Sequence, residues 1–215
     1  MDPITRAMFM GAAGATLPEI GDFYEGGYFA GLISYTADGN ATHGLIVAPL
    51  ASGSSGATKQ WKTANTSTSG TSSEYDGAAN TANMANANHP AANFCAGLTI
   101  NGYSDWYLPA LYELEIAYYN LKPTTEINDI GFGTNSYAVP QRGSDYTAGD
   151  PAQTSVAAFQ GGGAESFVEF SEESYWSSTE STSTRAWTLE FQNGEQIDRF
   201  KTSTEAVRAF RKFAI

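Results

Sequence analysis

Residues 186–201 leave the chain few choices. Trp187, Leu189 and Phe191 alternate with intervening residues, Asn193-Gly194 follows, and residues 195–201 supply a second extended segment. Period-two alternation around Asn-Gly is a strong hairpin signal, because both turn residues take positive φ at little cost and so match the twist of paired strands. The spacing predicts antiparallel pairing of 186–192 with 195–201 across Asn193-Gly194. Upstream, Leu111, Leu114, Tyr118 and Leu121 recur at helical spacing and Pro123 stops the run, which predicts a helix over 110–122. Helices set among short antiparallel strands imply an α+β fold.

The remaining segments are consistent with that class. Residues 23–35 are aromatic and Gly-interrupted and read as a strand or hairpin, and 42–49 as a strand around Leu45, Ile46 and Val47. Residues 174–179 and 206–213 read as late strands. Residues 51–73 form a Ser/Thr/Gly tract anchored by Trp61, a surface loop. Ser72 or Ser73 is placed to cap a helix from about 74 to 88, and His89-Pro90 interrupts and restarts it with Phe94 and Leu98 on one face. Residues 124–170 read as long irregular loops. Trp106, Trp176 and Trp187 are expected in the core, and Arg208 and Arg211 are expected to meet carboxylates such as Glu113 or Glu180.

Composition then excludes whole classes. With 215 residues the chain makes one large domain with an appendage, read as an attachment arm over 1–20 and a domain over 21–215. A single cysteine, Cys95, rules out an intrachain disulfide and a zinc ribbon. A net charge of −12 argues against nucleic acid, even though residues 181–215 carry more basic than acidic side chains. No run approaches the roughly 18–20 apolar residues of a membrane span, so membrane insertion is not expected.

Catalytic constellations are poor. His43 and His89 stand beside Gly and Pro in expected turns, as solvated or capping side chains, and Cys95 reads as a small core residue. Gly161-Gly162-Gly163 lacks the Lys-Ser/Thr of a phosphate loop. Glu172-Glu173, or Asp145 with Asp150, lack the ligand spacing of a dedicated calcium loop and read as solvated. The expectation is no catalytic residue, no metal and no cofactor.

Read in order, NFCAGL at 93–98, GYSDWYLP at 102–109, Glu113-Leu114, YWSSTE at 175–180, Ala186-Trp187, Asn193-Gly194 and VRAFR at 207–211 resemble the pattern of the Lcl C-terminal-like domain family, over roughly 42–215. That family is named for the C-terminal domain of a collagen-like bacterial adhesin. The resemblance implies a C-type-lectin-like fold, shared with sulfatase-modifying factors and phage receptor-binding proteins. The pattern's Arg between Trp and Leu is Tyr107 here, so the contacts of that Arg are not carried over. Separately, residues 4–15 (ITRAMFMGAAGA) resemble the short leader of many phage tail-fibre and other virion proteins. Asp2 cancels Arg6 and glycine breaks the apolar run, so the segment does not read as a cleavable signal.

Folds of this type present loops over a stiff core, so specificity can vary without loss of fold. Residues 51–73 and 124–170 are such loops, and Tyr137, Tyr146 and Phe159 among Asn, Gln, Ser and Asp suit stacking on sugar rings. The expected ligand face is Tyr137, Gln141, Arg142, Asp145 and Tyr146, with Glu180, Thr184 and Arg185. Ile4, Met8, Phe9 and Met10 are expected to dock the arm into other virion proteins or into a homotrimer. The functional expectation is a non-enzymatic virion surface protein, a tail fibre or similar fibre, that recognises a host glycan or protein receptor. A decoration subunit without receptor binding, and a secreted or cell-surface bacterial adhesin of the same fold, are the alternatives. A polysaccharide hydrolase is a third.

Overall fold

The computed structural model describes residues 16–168 and 173–215. The arm residues Ile4, Met8, Phe9 and Met10, and Glu172 of the acidic pair, lie outside them.

All named strands pair antiparallel. The larger sheet has the order β1 (Phe23–Tyr24), β2 (Gly27–Ile33), β3 (His43–Val47) and β10 (Phe210–Ala214), with β5 (Ala138–Val139) also paired to β2. A second sheet joins β6 (Ser174–Glu180), β7 (Arg185–Glu190) and β8 (Gln196–Phe200), and β4 (Lys59–Gln60) pairs with β9 (Thr204–Glu205). Among the described residues, four α-helices complete the fold: α1 (Leu50–Gly53), α2 (Gly77–Ala82), α3 (Pro90–Ala96) and α4 (Leu111–Leu121). The mixed α+β class is as the sequence implies.

Helix α4 is the centrepiece. Leu111, Leu114, Tyr118 and Leu121 are buried as their spacing requires, but Glu113, Glu115 and Ile116 are buried too, so the helix is enclosed on more than one face. It packs against β2 and against β6–β7. Close approach to β2 depends on Gly31, at φ +139°, where a Cβ would meet Asn120 Nδ2 at 2.5 Å and Ile116 at 2.8 Å. A β-bulge between Phe29 and Gly31 accompanies this contact.

The hairpin forms with Leu189 opposite Gln196 and Arg185 opposite Phe200. Its turn is longer than the two residues expected. Gly194 N–H donates to Glu190 O, and the buried Phe191 occupies the loop, so four residues make the reversal. Trp187 is half-buried, contrary to the core assignment. It faces Asp198 on β8, an edge strand whose residues are all half-buried or exposed.

Two helical readings need adjustment. Pro90 does start α3, but the helix expected over 74–88 spans only Gly77–Ala82, capped by Asp76, whose side chain accepts from Ala79 N–H. Ser73 instead holds Asp76 N–H through its hydroxyl. Beyond α2 the Asn-rich stretch turns, since short amide side chains compete for backbone groups. His43 opens β3 rather than lying in a turn, and His89, at the N-cap of α3, does not cap with its side chain.

The arginines chose other carboxylates. Arg208, 1% exposed, donates to Ala48 O at 2.7 Å and to Glu165 at 2.8 Å. Arg211 grips Asp105 through Nε and a terminal nitrogen, at 2.8 and 2.9 Å, and reaches Glu25 at 2.7 Å. Arg211 holds the 105–109 segment and the β1–β2 turn against the last strand, and Arg208 ties Glu165 to the chain after β3. Tyr107 and Phe210 exchange both backbone hydrogen bonds alongside them.

Candidate ligand face

The stiff base of the loops is built from polar side chains. Ser177 hydroxyl donates to Trp187 O, Thr179 hydroxyl donates to Ser73 O while accepting from Leu111 N–H, and Asn80 donates to Ser178. The residues of YWSSTE therefore tie β6 to α2, α4 and β7, as expected of backbone-satisfying hydroxyls.

Loop 51–73 has more than one anchor. Trp61 is fully buried, donating from Nε1 to Ser177 O at 2.9 Å, with Lys201 over its ring and His89 edge-on. Thr71 is also buried. Glu180 accepts from Lys201 Nζ at 2.6 Å, from Ser67 hydroxyl at 2.7 Å and from Thr68 N–H at 2.7 Å. These bonds outweigh the penalty of burial and hold its carboxyl below the usual range. Glu180 thus organises the loop.

Tyr146 is corrected outright. It is 6% exposed and its hydroxyl donates to Glu115 at 2.7 Å, so it belongs to the core and not to an exposed face. Phe159, also expected in a contact loop, is fully buried. Arg142 is ion-paired to Glu115, with its guanidinium over the Tyr119 ring. Glu115 is a buried carboxylate at the centre of α4, and Arg142, Tyr146 and Asn135 converge on it. Burial raises its carboxyl despite the arginine.

Gln141 and Asp145 are exposed. Gln141 donates to Ala37 O and Ser136 O, and Asp145 accepts from Thr134. Arg185 pairs with Asp198 at 3.1 Å and lies over Phe200, with Thr184 half-buried beside it. Among the described residues, no hydrogen bond or ion pair joins the 137–146 group to Glu180, Thr184 and Arg185.

Tyr137 is where the structure concentrates aromatic surface. Its ring stacks on Tyr75 at 4.2 Å and 8°, with Tyr112 at 5.8 Å and 26° on the same ring. All three rings are half-buried. Tyr35 meets Tyr75 edge-on at 5.5 Å, and His43 at 4.6 Å. Asp76 sits at the margin, accepting from Tyr35 hydroxyl at 3.3 Å and from Lys212 at 3.0 Å. The platform is contributed by four separate segments: the chain after β2, the N-terminal approach to α2, α4 and the 135–141 loop. Of these tyrosines, Tyr137 stands among the residues expected on the ligand face, and Tyr75, Tyr112 and Tyr35 do not. Tyr112 is an aromatic residue off the helical stripe, but so is Tyr119, which lies under Arg142 instead.

His89 and Cys95 are both enclosed in the fold. His89 bonds Thr68 and Asn86 at 3.0 Å each, and burial with Lys62 and Lys201 nearby pushes it down to about 4. Burial raises the Cys95 thiol well above its ordinary range. Among the described residues, no group of three or more His, Cys, Asp or Glu side chains is disposed to hold a metal ion.

A mixed α+β scaffold presenting loops over a rigid core is the architecture of a lectin-like domain. The model of the Lcl C-terminal domain family matches residues 54–211, and the chain belongs to that family. The family is one of non-catalytic, lectin-like, adhesin-associated binding domains. No curated protein matches the chain. Strands β1–β3 precede the matched segment, yet β3 pairs directly with β10, so they complete the same sheet.

Proposed function

We propose that this chain is a receptor-binding protein on a virion surface, a tail fibre or similar fibre, and that it reads a host-surface glycan through the tyrosine platform. The observation that carries the ligand assignment is the Tyr75–Tyr137–Tyr112 stack with the exposed residues Gln141 and Asp145 nearby in sequence. Aromatic faces accept the C–H surface of a pyranose, and neighbouring polar groups exchange hydrogen bonds with its hydroxyls. The virion setting is supported by the leader-like sequence at 4–15. In that setting Ile4, Met8, Phe9 and Met10 join the chain to other virion proteins or to two further copies in a homotrimer. The family's association with adhesins supports a second setting, a bacterial cell surface, with the same ligand chemistry.

A glycan array probed with the full chain tests the ligand, with Tyr137→Ala and Gln141→Ala as the deciding variants. Saturable binding that falls at least tenfold in Tyr137→Ala, with the melting temperature nearly unchanged, is the expected result. Absence of binding to any glycan or host cell overturns the reading in favour of a decoration subunit. Immuno-electron microscopy of particles and of producing cells separates the two settings.

A further inference from the structure

On another part of the molecule, the turn at residues 54–58 faces the start of β6 and the end of β9 across a cavity of about 280 Å³. Its frame is rigid. Ala206 N–H donates to Ser174 O and Trp176 N–H to Ala206 O, both at 3.0 Å, while Ser55 N–H donates to Val207 O at 3.1 Å. Behind the lining, β4 pairs with β9, with Lys59 opposite Glu205.

Three lining residues carry unspent polar capacity. Ser174 is fully buried, and its hydroxyl has no hydrogen-bond partner. Glu205 is 8% exposed, and the nearest cation, Arg199, stands 3.5 Å from its carboxylate with an Nε that makes no hydrogen bond. Glu173 is exposed at the rim. Burial pushes the Glu205 carboxyl up to about 7, an effect that Arg199 and the Ser174 N–H offset only in part and that Glu190 reinforces.

We propose that this cavity binds a primary alkylammonium group. The ammonium donates to the Glu205 carboxylate and the Ser174 hydroxyl, the alkyl chain lies along Ala57, Val168 and Ala206, and Glu173 adds negative charge at the entrance. Among the described lining residues there is no lysine or arginine to meet an anion and no aromatic ring to support a sugar. A bare metal ion would leave most of the volume empty and find only two carboxylates. The chain's net charge of −12 draws cations toward the site at long range. Two sources supply such an ammonium, a lysine side chain of a partner protein and a free small amine.

The test is an amide NMR titration of the full chain with n-butylammonium chloride, with n-butanol and glucose as neutral controls. Nα-acetyl-lysine N-methylamide serves as the second ammonium probe. Saturable shifts at Ser174, Glu205 and Ala206 are expected with both ammonium probes and with neither control. Tighter binding of the lysine derivative identifies a protein side chain as the source, and equal or weaker binding a free amine. Glu205→Gln should weaken the butylammonium affinity at least tenfold and Ser174→Ala several-fold. If Glu205→Gln does not fold, Glu173→Gln on the exposed rim and Ala57→Trp in the exposed turn take its place, each expected to weaken binding several-fold. Absence of saturable shifts, equal response to n-butanol, or affinity unchanged in these variants overturns the proposal.

Discussion

Tyr107 donates its hydroxyl to Glu113 at 2.8 Å, and both side chains are almost wholly out of solvent. Where the family pattern has arginine, this chain pairs a buried carboxyl with a neutral phenol. The second oxygen of Glu113 accepts Ala110 N–H at 2.8 Å and Gly77 N–H at 3.2 Å, so one side chain joins the starts of α4 and α2. Without a cationic partner in contact, burial pushes this carboxyl up to about 7.

Removing that side chain strands three donors at once. Glu113→Ala should cost about 3–5 kcal/mol in urea denaturation, the range for a disrupted buried polar network. Glu113→Gln keeps an oxygen for the two amides and should cost about 1–2 kcal/mol near neutrality. The pH dependence has a definite sign. The folded group keeps its proton from 4.5 up to about 7 while the unfolded one loses it, so its contribution is full below 4.5 and lost as pH rises toward 7. Glutamine cannot ionise. The stability difference should therefore move toward the variant between pH 5 and pH 8, by on the order of 3 kcal/mol. A difference that is flat across that interval would refute the assignment.

Leu114 tests the architecture. It is fully buried on the stripe of α4. Leu114→Asp places an unpaired carboxylate there, and the cost should exceed about 5 kcal/mol, enough to abolish the near-UV circular dichroism of the folded domain. Leu114→Ala should cost about 2–5 kcal/mol and remain folded.

Local signals made much of the fold legible. Pro90 opens a helix, Leu111 to Leu121 mark a core face, and Asn193-Gly194 marks the place of a chain reversal, because each works through neighbours a few residues away. What stayed hidden depends on pairs far apart in sequence. Glu115 lies on the same helix as the apolar stripe, yet Arg142 and Tyr146 pair with it, and nothing periodic in the chain announces this. Tyr146 therefore read as a contact residue when it is a structural one. The tyrosine platform was missed for the same reason, since Tyr35, Tyr75, Tyr112 and Tyr137 come from four segments that meet only in the folded molecule.

Two residues expected on one ligand face should separate in stability. Arg185 and Asp198 form a partly exposed pair, so Arg185→Ala should cost less than about 1 kcal/mol. Glu180 is the counter-ion of Lys201, whose side chain is fully buried. Glu180→Ala leaves that ammonium with Thr66 O, Ser183 O and the face of Trp61 but no counter-ion, and should cost about 3–5 kcal/mol. Hydrogen exchange should show Thr68 N–H losing protection in Glu180→Ala and keeping it in Arg185→Ala. Equal effects of the two substitutions would return Glu180 to the ligand face.

His89 should report the same loop through its titration. The ring is 4% exposed, bonded to Thr68 and Asn86 and packed edge-on to Trp61. Burial, with Lys62 and Lys201 adding like charge, lowers it from 6.5 to about 4. The sign follows directly. Between those values the unfolded chain binds a proton that the native chain refuses, so the stabilisation is full above 6.5 and is lost as pH falls toward 4. In the neutral ring Nδ1–H donates to Asn86 Oδ1 and Nε2 accepts from the Thr68 hydroxyl, so protonation, which makes Nε2 a donor too, forces that hydroxyl to reorient or lose its bond. The loop at 62–71 should therefore loosen in acid before the rest of the domain. The His89 ring resonances should titrate with a midpoint near 4 while those of His43, half-buried at the start of β3, move at higher pH. His89→Gln should remove the His89 share of the acid destabilisation between pH 6.5 and 4. A midpoint near 6.5 for His89 would show that the ring is solvated and that the loop is held by Glu180 and Trp61 alone.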